Sequence, residues 1–151
     1  MAKYYLAYGS NLNIKQMAHR CPNAKPIGTS VIKDYQLLFK GSKTGAYLTI
    51  EKNTNSNVPV AVWEVTDNDE KRLDVYEGYP DFYYKTKMEV TVNRRKIKAF
   101  VYIMHEGRPL GIPSYQYVHT CADGYMDFGF GLKYLEVALK ISKQEAENEN
   151  D

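Results

Sequence analysis

The sequence predicts a single α+β domain with a mainly antiparallel sheet. The chain has 151 residues, of which 44% are hydrophobic and 25% charged, and this suits one globular domain with its own core. Strand-like segments dominate the middle of the chain, and helix-like segments occur before, between and after them. Strands that are grouped in this way indicate an α+β protein, whose sheet can close into a barrel.

The predicted elements begin with a strand, a short helix and a series of strands. The first strand covers 3–8, and Asn13 is expected to cap a helix over about 14–20 that ends before Pro22. The strands that follow are predicted over 27–33, 35–40, 46–51 and 58–66. A division is expected near Asp34, and the turn-rich segments GSKTG and NTNSN separate the later strands.

A helix and a strand pair are predicted next. In the segment TDNDEKRLDVYEG, Asp67 and Glu70 fit a capping box, and Gly78 is a natural end for the helix. Alternation of apolar and polar residues predicts strands over 84–92 and 97–105, joined by the turn NRRK.

The chain is predicted to end with two helices and a polar tail. Ser114 is expected to cap a helix that ends near residue 123, and a second helix is expected over about 131–143. The remaining segment has no large apolar residue, so it is expected to be solvated or disordered. We therefore predict one domain over 1–143 and an acidic tail over 144–151.

Composition argues against several classes of protein. The formal net charge is only +2, which does not favour the cationic face of a nucleic-acid binder. No apolar run approaches the roughly 20 residues that span a bilayer, and the N-terminal stretch is not typical of a signal peptide. Cys21 and Cys121 are too few for a disulfide framework, so both are expected to be thiols in a cytoplasmic protein.

Metal and nucleic-acid sites are not expected. His19 with Cys21, and His119 with Cys121, form H-x-C pairs, but residues two apart on a helix diverge by about 200° and cannot chelate one ion. The basic segment NRRKIK is typical of a solvated hairpin tip.

The segment YGSNLN joins the first strand to the first helix. Its glycine allows a ligand to approach the backbone, and amides at a helix start direct partial positive charge outward. Such a place suits a carboxylate or a phosphate. A turn without a ligand explains the same residues, and taken alone the segment favours that interpretation.

Glu77 lies in the last turn of the helix predicted before Gly78. The carbonyl end of a helix disfavours a carboxylate, and nearby aromatic rings should raise its pKa by desolvation. The flanking aromatic residues are Tyr76, Tyr79, Tyr83 and Tyr84. A raised pKa suits a general acid/base, whereas a solvent-facing glutamate at a frayed helix end is an equally good interpretation.

Three segments occur in order along the chain: YYLAYGSNL at 4–12, LDVYEGYPDFYY at 73–84, and AFVYIMHEG followed by PSYQYVHTCADGYMDFGF within 99–130. Together they resemble the gamma-glutamylcyclotransferase-like family, which includes plant avirulence-induced relatives. The resemblance implies a small mixed, mainly antiparallel β-barrel with flanking helices. It also implies an enzyme that needs no cofactor and cyclises a gamma-glutamyl amide to 5-oxoproline with release of an amine or amino acid.

The resemblance further implies the site residues. Glu77 matches the catalytic carboxylate of the family. The implied substrate-binding residues are Tyr5, Leu6, Ala7, Tyr8, Gly9, Ser10, Asn11, Tyr83, Tyr102 and Tyr117. The three later tyrosines are expected to offer hydroxyl donors, with Tyr84 as an alternative to Tyr83. Lys85 stands where relatives often carry arginine, which puts a bidentate carboxylate contact in doubt.

Two functional hypotheses follow. In the first, Glu77 takes a proton from the substrate ammonium and gives one to the leaving amine, while amides near Gly9 and Ser10 bind the α-carboxylate or the oxyanion. In the second, the fold is a non-catalytic module that binds a small carboxylate or glutamyl ligand. The expected partner is a small-molecule gamma-glutamyl substrate, without nucleic acid or membrane, and the sequence leaves a homodimer open.

Overall fold

The structure is a computed structural model that describes residues 2–150. Met1 and Asp151, which end the predicted ranges 1–143 and 144–151, lie outside the described residues. The elements are β1 (Lys3–Ala7), a 3₁₀ turn (Ser10–Leu12), α1 (Ile14–Arg20), β2 (Lys25–Lys40), β3 (Tyr47–Val65), α2 (Asp67–Glu77), β4 (Tyr83–Val92), β5 (Arg95–Met104), α3 (Tyr115–Asp127) and α4 (Lys133–Asn150). The predicted α+β class is confirmed.

The strands form one sheet in the order β2-β3-β1-β5-β4. Only β1 and β5 are parallel among the paired strands of residues 2–150, so the sheet is mixed and mainly antiparallel. The sheet is not closed into the barrel that was expected, because β2 and β4 remain its two edge strands. Side chains at these edges donate to backbone carbonyls of the other edge: the Ser30 hydroxyl of β2 donates to Thr91 of β4 at 2.6 Å, and Asn93, in the turn after β4, donates to Ile27 of β2 at 2.9 Å.

The long hairpin of β2 and β3 contains an irregularity instead of the predicted strand break. The pairing register shifts between Lys33 and Tyr35, where Asp34 has φ 63° and Asn55 on the opposite strand has φ 69°. The Asn55 amide donates to the Asp34 carboxylate at 3.0 Å. Asp and Asn tolerate this left-handed conformation, so the turn-forming residues produce a bulge and pairing resumes beyond it.

Helix α2 begins with a capping box that lies one residue earlier than predicted. The Thr66 hydroxyl accepts from the Asp69 amide at 3.1 Å, and the Asp69 carboxylate accepts from the Thr66 amide at 2.9 Å. The predicted pair, Asp67 and Glu70, instead binds the Lys3 ammonium at 2.8 and 2.7 Å. Thr66 takes the cap because its extended backbone directs the hydroxyl toward the first turn.

The last two helices are longer than predicted. Ser114 caps α3 as expected, since its hydroxyl accepts from the Tyr117 amide at 3.1 Å, but the helix continues to Asp127. Helix α4 continues through 144–150, so the segment expected to be a solvated or disordered tail is helical, and its residues 144–149 are mostly exposed to solvent. None of the helices within residues 2–150 is long and apolar enough to cross a membrane.

Helix α3 holds the loop after β1 in place. Asn13 caps α1 by accepting from the Gln16 amide at 3.0 Å, as predicted, and its side-chain amide donates to the Thr120 carbonyl of α3 at 3.0 Å. Gly124 of α3 lies against the same loop so closely that an added Cβ would be 2.5 Å from the Asn13 nitrogen. The loop therefore packs directly against the α3 backbone, which holds it in position relative to the sheet.

Candidate active site

A cavity of about 380 Å³ opens between the loop after β1 and the end of α2. Its floor and walls come from β1, β3, β4, β5 and α3. The lining residues are Tyr5, Tyr8, Gly9, Ser10, Asn11, Tyr47, Leu48, Val75, Tyr76, Glu77, Gly78, Phe82, Tyr83, Tyr102 and Tyr117. The two segments that sequence analysis singled out separately thus face one cavity.

Glu77 is the last residue of α2, and its position follows from the residue after it. Gly78 adopts φ 64°, as a left-handed helix end requires, which confirms the predicted stop. The carboxylate therefore lies at the carbonyl end of the helix, inside the cavity wall. Burial raises the pKa of Glu77 to about 7, and the Arg20 guanidinium opposes this rise with a smaller effect. Near neutral pH, Glu77 can therefore both accept and donate a proton.

Asn11 connects the loop to Glu77. The Asn11 side chain is 2% exposed, and its amide nitrogen donates to the Tyr5 hydroxyl at 2.8 Å and to Oε1 of Glu77 at 3.4 Å. Its carbonyl oxygen accepts from the guanidinium of Arg20. Both ends of the buried amide are thus paired, which sets the orientation of the group.

Arg20 is a component of the site that sequence analysis missed. Its guanidinium carbon lies 3.3 Å from the centroid of the Tyr76 ring, and its second nitrogen donates to the Gln16 side chain at 3.1 Å. The Tyr76 hydroxyl in turn lies 3.0 Å from the Ser10 hydroxyl. In the sequence, Arg20 is only the residue between His19 and Cys21, and no local pattern indicates its contact with α2.

The three later tyrosines line the cavity, but two use their hydroxyl hydrogens within the protein. Tyr83 donates to the Leu48 carbonyl at 2.7 Å, and Tyr102 donates to the Asp74 carboxylate at 2.5 Å. Tyr117 accepts from the Leu48 amide at 3.0 Å. In this structure the hydroxyl groups of Tyr83 and Tyr102 therefore stiffen the wall, and the expectation that all three tyrosines offer donors to a ligand stays a prediction.

The neighbours of Tyr83 on β4 do not line the cavity. Tyr84 donates to the Glu106 carboxylate at 2.5 Å, on the opposite face of the strand, because successive side chains of a strand alternate between faces. Tyr83 is thus the pocket tyrosine of the two alternatives. Lys85 pairs with Glu70 at 2.8 Å and Asp74 at 2.9 Å, so its charge is committed to α2.

Leu6 and Ala7 are not among the lining residues. They are 0% and 1% exposed and belong to the hydrophobic core, where they pair with Val62 and Ala61 of β3. Four other lining residues were not predicted: two come from β3, outside the motifs, and two lie within the segment 73–84 without having been singled out there. These are Tyr47, Leu48, Val75 and Phe82.

The loop after β1 forms a 3₁₀ turn before α1 begins. The Leu12 amide donates to the Gly9 carbonyl at 3.0 Å and the Asn13 amide to the Ser10 carbonyl at 3.0 Å. A turn of this kind supplies no internal partner to its first amides, those of Ser10 and Asn11, and Gly9 provides no side-chain cap. The turn therefore leaves these two amides without a partner of its own beside the cavity, and their use by a ligand stays a prediction.

Comparison with known proteins agrees with this fold and identifies the family. A family model described as "Gamma-glutamyl cyclotransferase, AIG2-like" matches residues 5–119. The gamma-glutamylcyclotransferases of Bos taurus and Homo sapiens are each 30% identical, over 142 residues (86% of this chain and 73% of the relative) and 143 residues (87% and 74%). A solved structure named "Gamma-glutamyl cyclotransferase" has a TM-score of 0.81 at 25% identity and covers 91% of this chain and 86% of that one.

The architecture is thus that of an α+β protein with a small-ligand cavity built around one carboxylate. The chain belongs to the gamma-glutamylcyclotransferase family, AIG2-like, whose model spans the loop after β1, Glu77 and the start of α3.

Proposed function

We propose that the protein is a gamma-glutamylcyclotransferase-type enzyme that cyclises a gamma-glutamyl amide to 5-oxoproline, with Glu77 as the general acid/base. The observation that carries this proposal is the placement of the Glu77 carboxyl and the Gly9–Asn11 loop on one cavity, joined by the contact of 3.4 Å between Asn11 and Glu77. Family membership and the relatives named above support the reaction class.

The reaction requires that the substrate is bound in a bent conformation, with its α-nitrogen near its γ-carbonyl carbon, and that one group of the enzyme transfers protons. The α-nitrogen of the glutamyl group attacks its own γ-carbonyl carbon, and the bond from that carbon to the leaving nitrogen breaks. The substrate α-ammonium carries three hydrogens, and the lactam nitrogen of the product keeps one of them. The other two are transferred to the leaving nitrogen, which is released as a protonated amine. Because the pKa of Glu77 is about 7, both forms of its carboxyl are populated near neutral pH and it can carry each proton in turn.

The substrate α-carboxylate would be bound by neutral donors. Among the described residues that line the cavity, Glu77 has the only charged side chain. The candidates for anion binding are therefore the amides of Ser10 and Asn11 and the hydroxyl of Tyr117. The same amides can instead stabilise the oxyanion on the γ-carbonyl, and both roles suit donors that are fixed before the substrate arrives.

A substrate panel tests this proposal. Purified protein would be incubated with gamma-glutamyl amino acids, gamma-glutamyl amines and glutathione, and 5-oxoproline would be measured. We expect at least one substrate to be turned over, and Glu77→Gln to lose about 10²- to 10⁴-fold in kcat, the usual contribution of a general acid/base. Glu89→Gln, at an exposed position of β4, is the matched control. Saturable binding without product would instead identify a binding module.

A further inference from the structure

Arg20, Asn11 and Glu77 form a chain of contacts that begins outside the cavity and ends at its carboxylate. Arg20 is the last residue of α1, Asn11 lies in the 3₁₀ turn, and Glu77 is the last residue of α2. We propose that Arg20 is a positioning residue for Glu77, because it holds the Asn11 amide with its nitrogen toward the carboxylate. This inference rests on the proposed function only for the role of Glu77 in catalysis.

The orientation of the Asn11 amide is the central step. An asparagine side chain has a donor end and an acceptor end, and turning it over exchanges the two. The Arg20 guanidinium donates to the Asn11 oxygen, which leaves the nitrogen to donate to Tyr5 at 2.8 Å and Glu77 at 3.4 Å. Turned over, the amide would direct its oxygen at the carboxylate. The Arg20 donor behind Asn11 opposes that arrangement whichever protonation state Glu77 has, whereas the carboxylate itself opposes it only when ionised.

The guanidinium itself is held in place from three sides. It lies on the Tyr76 ring at 3.3 Å from the centroid, and it donates to Gln16 at 3.1 Å while it contacts Asn11. A planar guanidinium can stack and donate in two directions at once, whereas an ammonium is a point charge. Tyr76 precedes Glu77 on α2, so the stack also joins α1 to the turn of helix that carries the carboxylate.

Arg20 has an electrostatic effect that is separate from the hydrogen bond. Its charge lowers the pKa of Glu77 against the larger rise caused by burial. Within residues 2–150, Arg20 is the one cation among the groups whose charges interact with Glu77. Tyrosines from the β1 region, β4, β5 and α3 also interact with the Glu77 charge: Tyr5, Tyr8, Tyr83, Tyr102 and Tyr117.

Two variants separate the charge from the geometry. Arg20→Met keeps a long side chain on Tyr76 but removes the charge and the donors, so the pKa of Glu77 should rise and the ascending limb of kcat/KM should move to higher pH. At a pH above that limb, kcat should still be lowered about tenfold with KM little changed. Arg20→Lys keeps the charge, so the limb should stay near its wild-type position while kcat falls. Arg95→Gln removes one charge from the exposed start of β5 and is the control.

Direct titration of Glu77 makes the test independent of turnover. Carboxyl carbon NMR of protein labelled at glutamate, with Glu77→Gln to assign the signal, reports the pKa of Glu77 even if no substrate is found. Thermal unfolding and circular dichroism confirm that each variant is folded. An upward shift in Arg20→Met, together with no further loss of kcat when Arg20→Met is added to Asn11→Ala, is the expected result.

The contrary results are equally specific. An unchanged titration and unchanged kcat in folded Arg20→Met would overturn the positioning role while Glu77→Gln remained inactive. Full additivity of Arg20→Met and Asn11→Ala would show that Arg20 does not act through Asn11. Absence of turnover in the wild-type protein, with the titration shift intact, would refute the proposed function and leave the contact between Arg20 and Glu77 standing.

Discussion

The side-chain amide of Asn11 lies 3.4 Å from the Glu77 carboxylate, although the two residues are 66 positions apart in the chain. This contact joins the loop after β1 to the end of α2. It also brings an amide donor to a carboxylate whose pKa burial raises to about 7. Several expected outcomes depend on that combination of burial and contact.

Glu77 should lower the stability of the protein at neutral pH. Its folded pKa of about 7 lies above the ordinary glutamate value of 4.5, so between these values the folded state binds more protons than the unfolded state. Stability therefore falls as pH rises through this window. We expect Glu77→Gln to increase the free energy of unfolding by about 1–3 kcal/mol at pH 8 and to change it little at pH 4. Urea unfolding at both pH values measures this, with Glu89→Gln as control. A gain of equal size at both pH values would contradict the account.

Gly9 should tolerate a methyl group but not a branched side chain. A Cβ added at Gly9 would lie 3.5 Å from the Tyr117 hydroxyl and 3.6 Å from the Leu48 Cβ, both ordinary contacts. Gly9→Ala should therefore fold with nearly unchanged stability, whereas the γ-carbons of Gly9→Val should occupy cavity space and raise KM at least about tenfold. Steady-state kinetics checks this, and Gly107→Val, at a position with nothing within 4 Å, is the control. A normal KM in folded Gly9→Val would argue against ligand binding at this loop.

Gly124 should be required for the packing of α3 against the loop. A Cβ there would lie 2.5 Å from the Asn13 nitrogen and 2.7 Å from the Leu12 carbonyl carbon, so backbone must move. Alanine would gain about 1 kcal/mol of helix propensity, and overpacking costs about 1–3 kcal/mol. We expect the clash to prevail, with Gly124→Ala less stable in urea and less active because the loop shifts.

Gly131→Ala, at a position with nothing within 4 Å of an added Cβ, is the matched control for Gly124→Ala. Equal stability of the two variants would mean that α3 moves away from the loop at little cost.

The enzyme should prefer substrates whose leaving group carries no carboxylate. Among the described lining residues no side chain is cationic, and part of the cavity rim is apolar or aromatic, with Tyr47 46%, Tyr76 45% and Val75 83% exposed. A second carboxylate on the substrate would meet the Glu77 charge with no cationic side chain among the described lining residues to offset it. We expect kcat/KM for gamma-glutamyl derivatives of neutral or cationic amines to exceed that for gamma-glutamyl amino acids by about tenfold. The same panel that measures 5-oxoproline provides the comparison, and the reverse order would contradict this prediction.

Local sequence signals predicted helix caps and helix ends correctly where a single residue determines them. Asn13 caps α1, Ser114 caps α3, and Gly78 ends α2 at Glu77. Each of these depends on a side-chain hydrogen bond or a backbone angle within a few residues. The capping box of α2 was misplaced by one residue because Thr66 and Asp67 are both good caps, and only the backbone angle at Thr66 distinguishes them.

The sequence by itself therefore determined the α+β class and the helix that ends at Glu77. Tertiary structure decided the rest: the sheet edges that contact without closing, the inward turn of Tyr83 instead of Tyr84, the burial of Leu6 and Ala7, and the place of Arg20 behind Asn11. These features depend on contacts between residues far apart in the chain, whose partners no local pattern specifies. The raised pKa of Glu77 depends on both sequence and tertiary structure. The sequence places Glu77 at the end of a helix, and only the assembled cavity buries its carboxyl away from water.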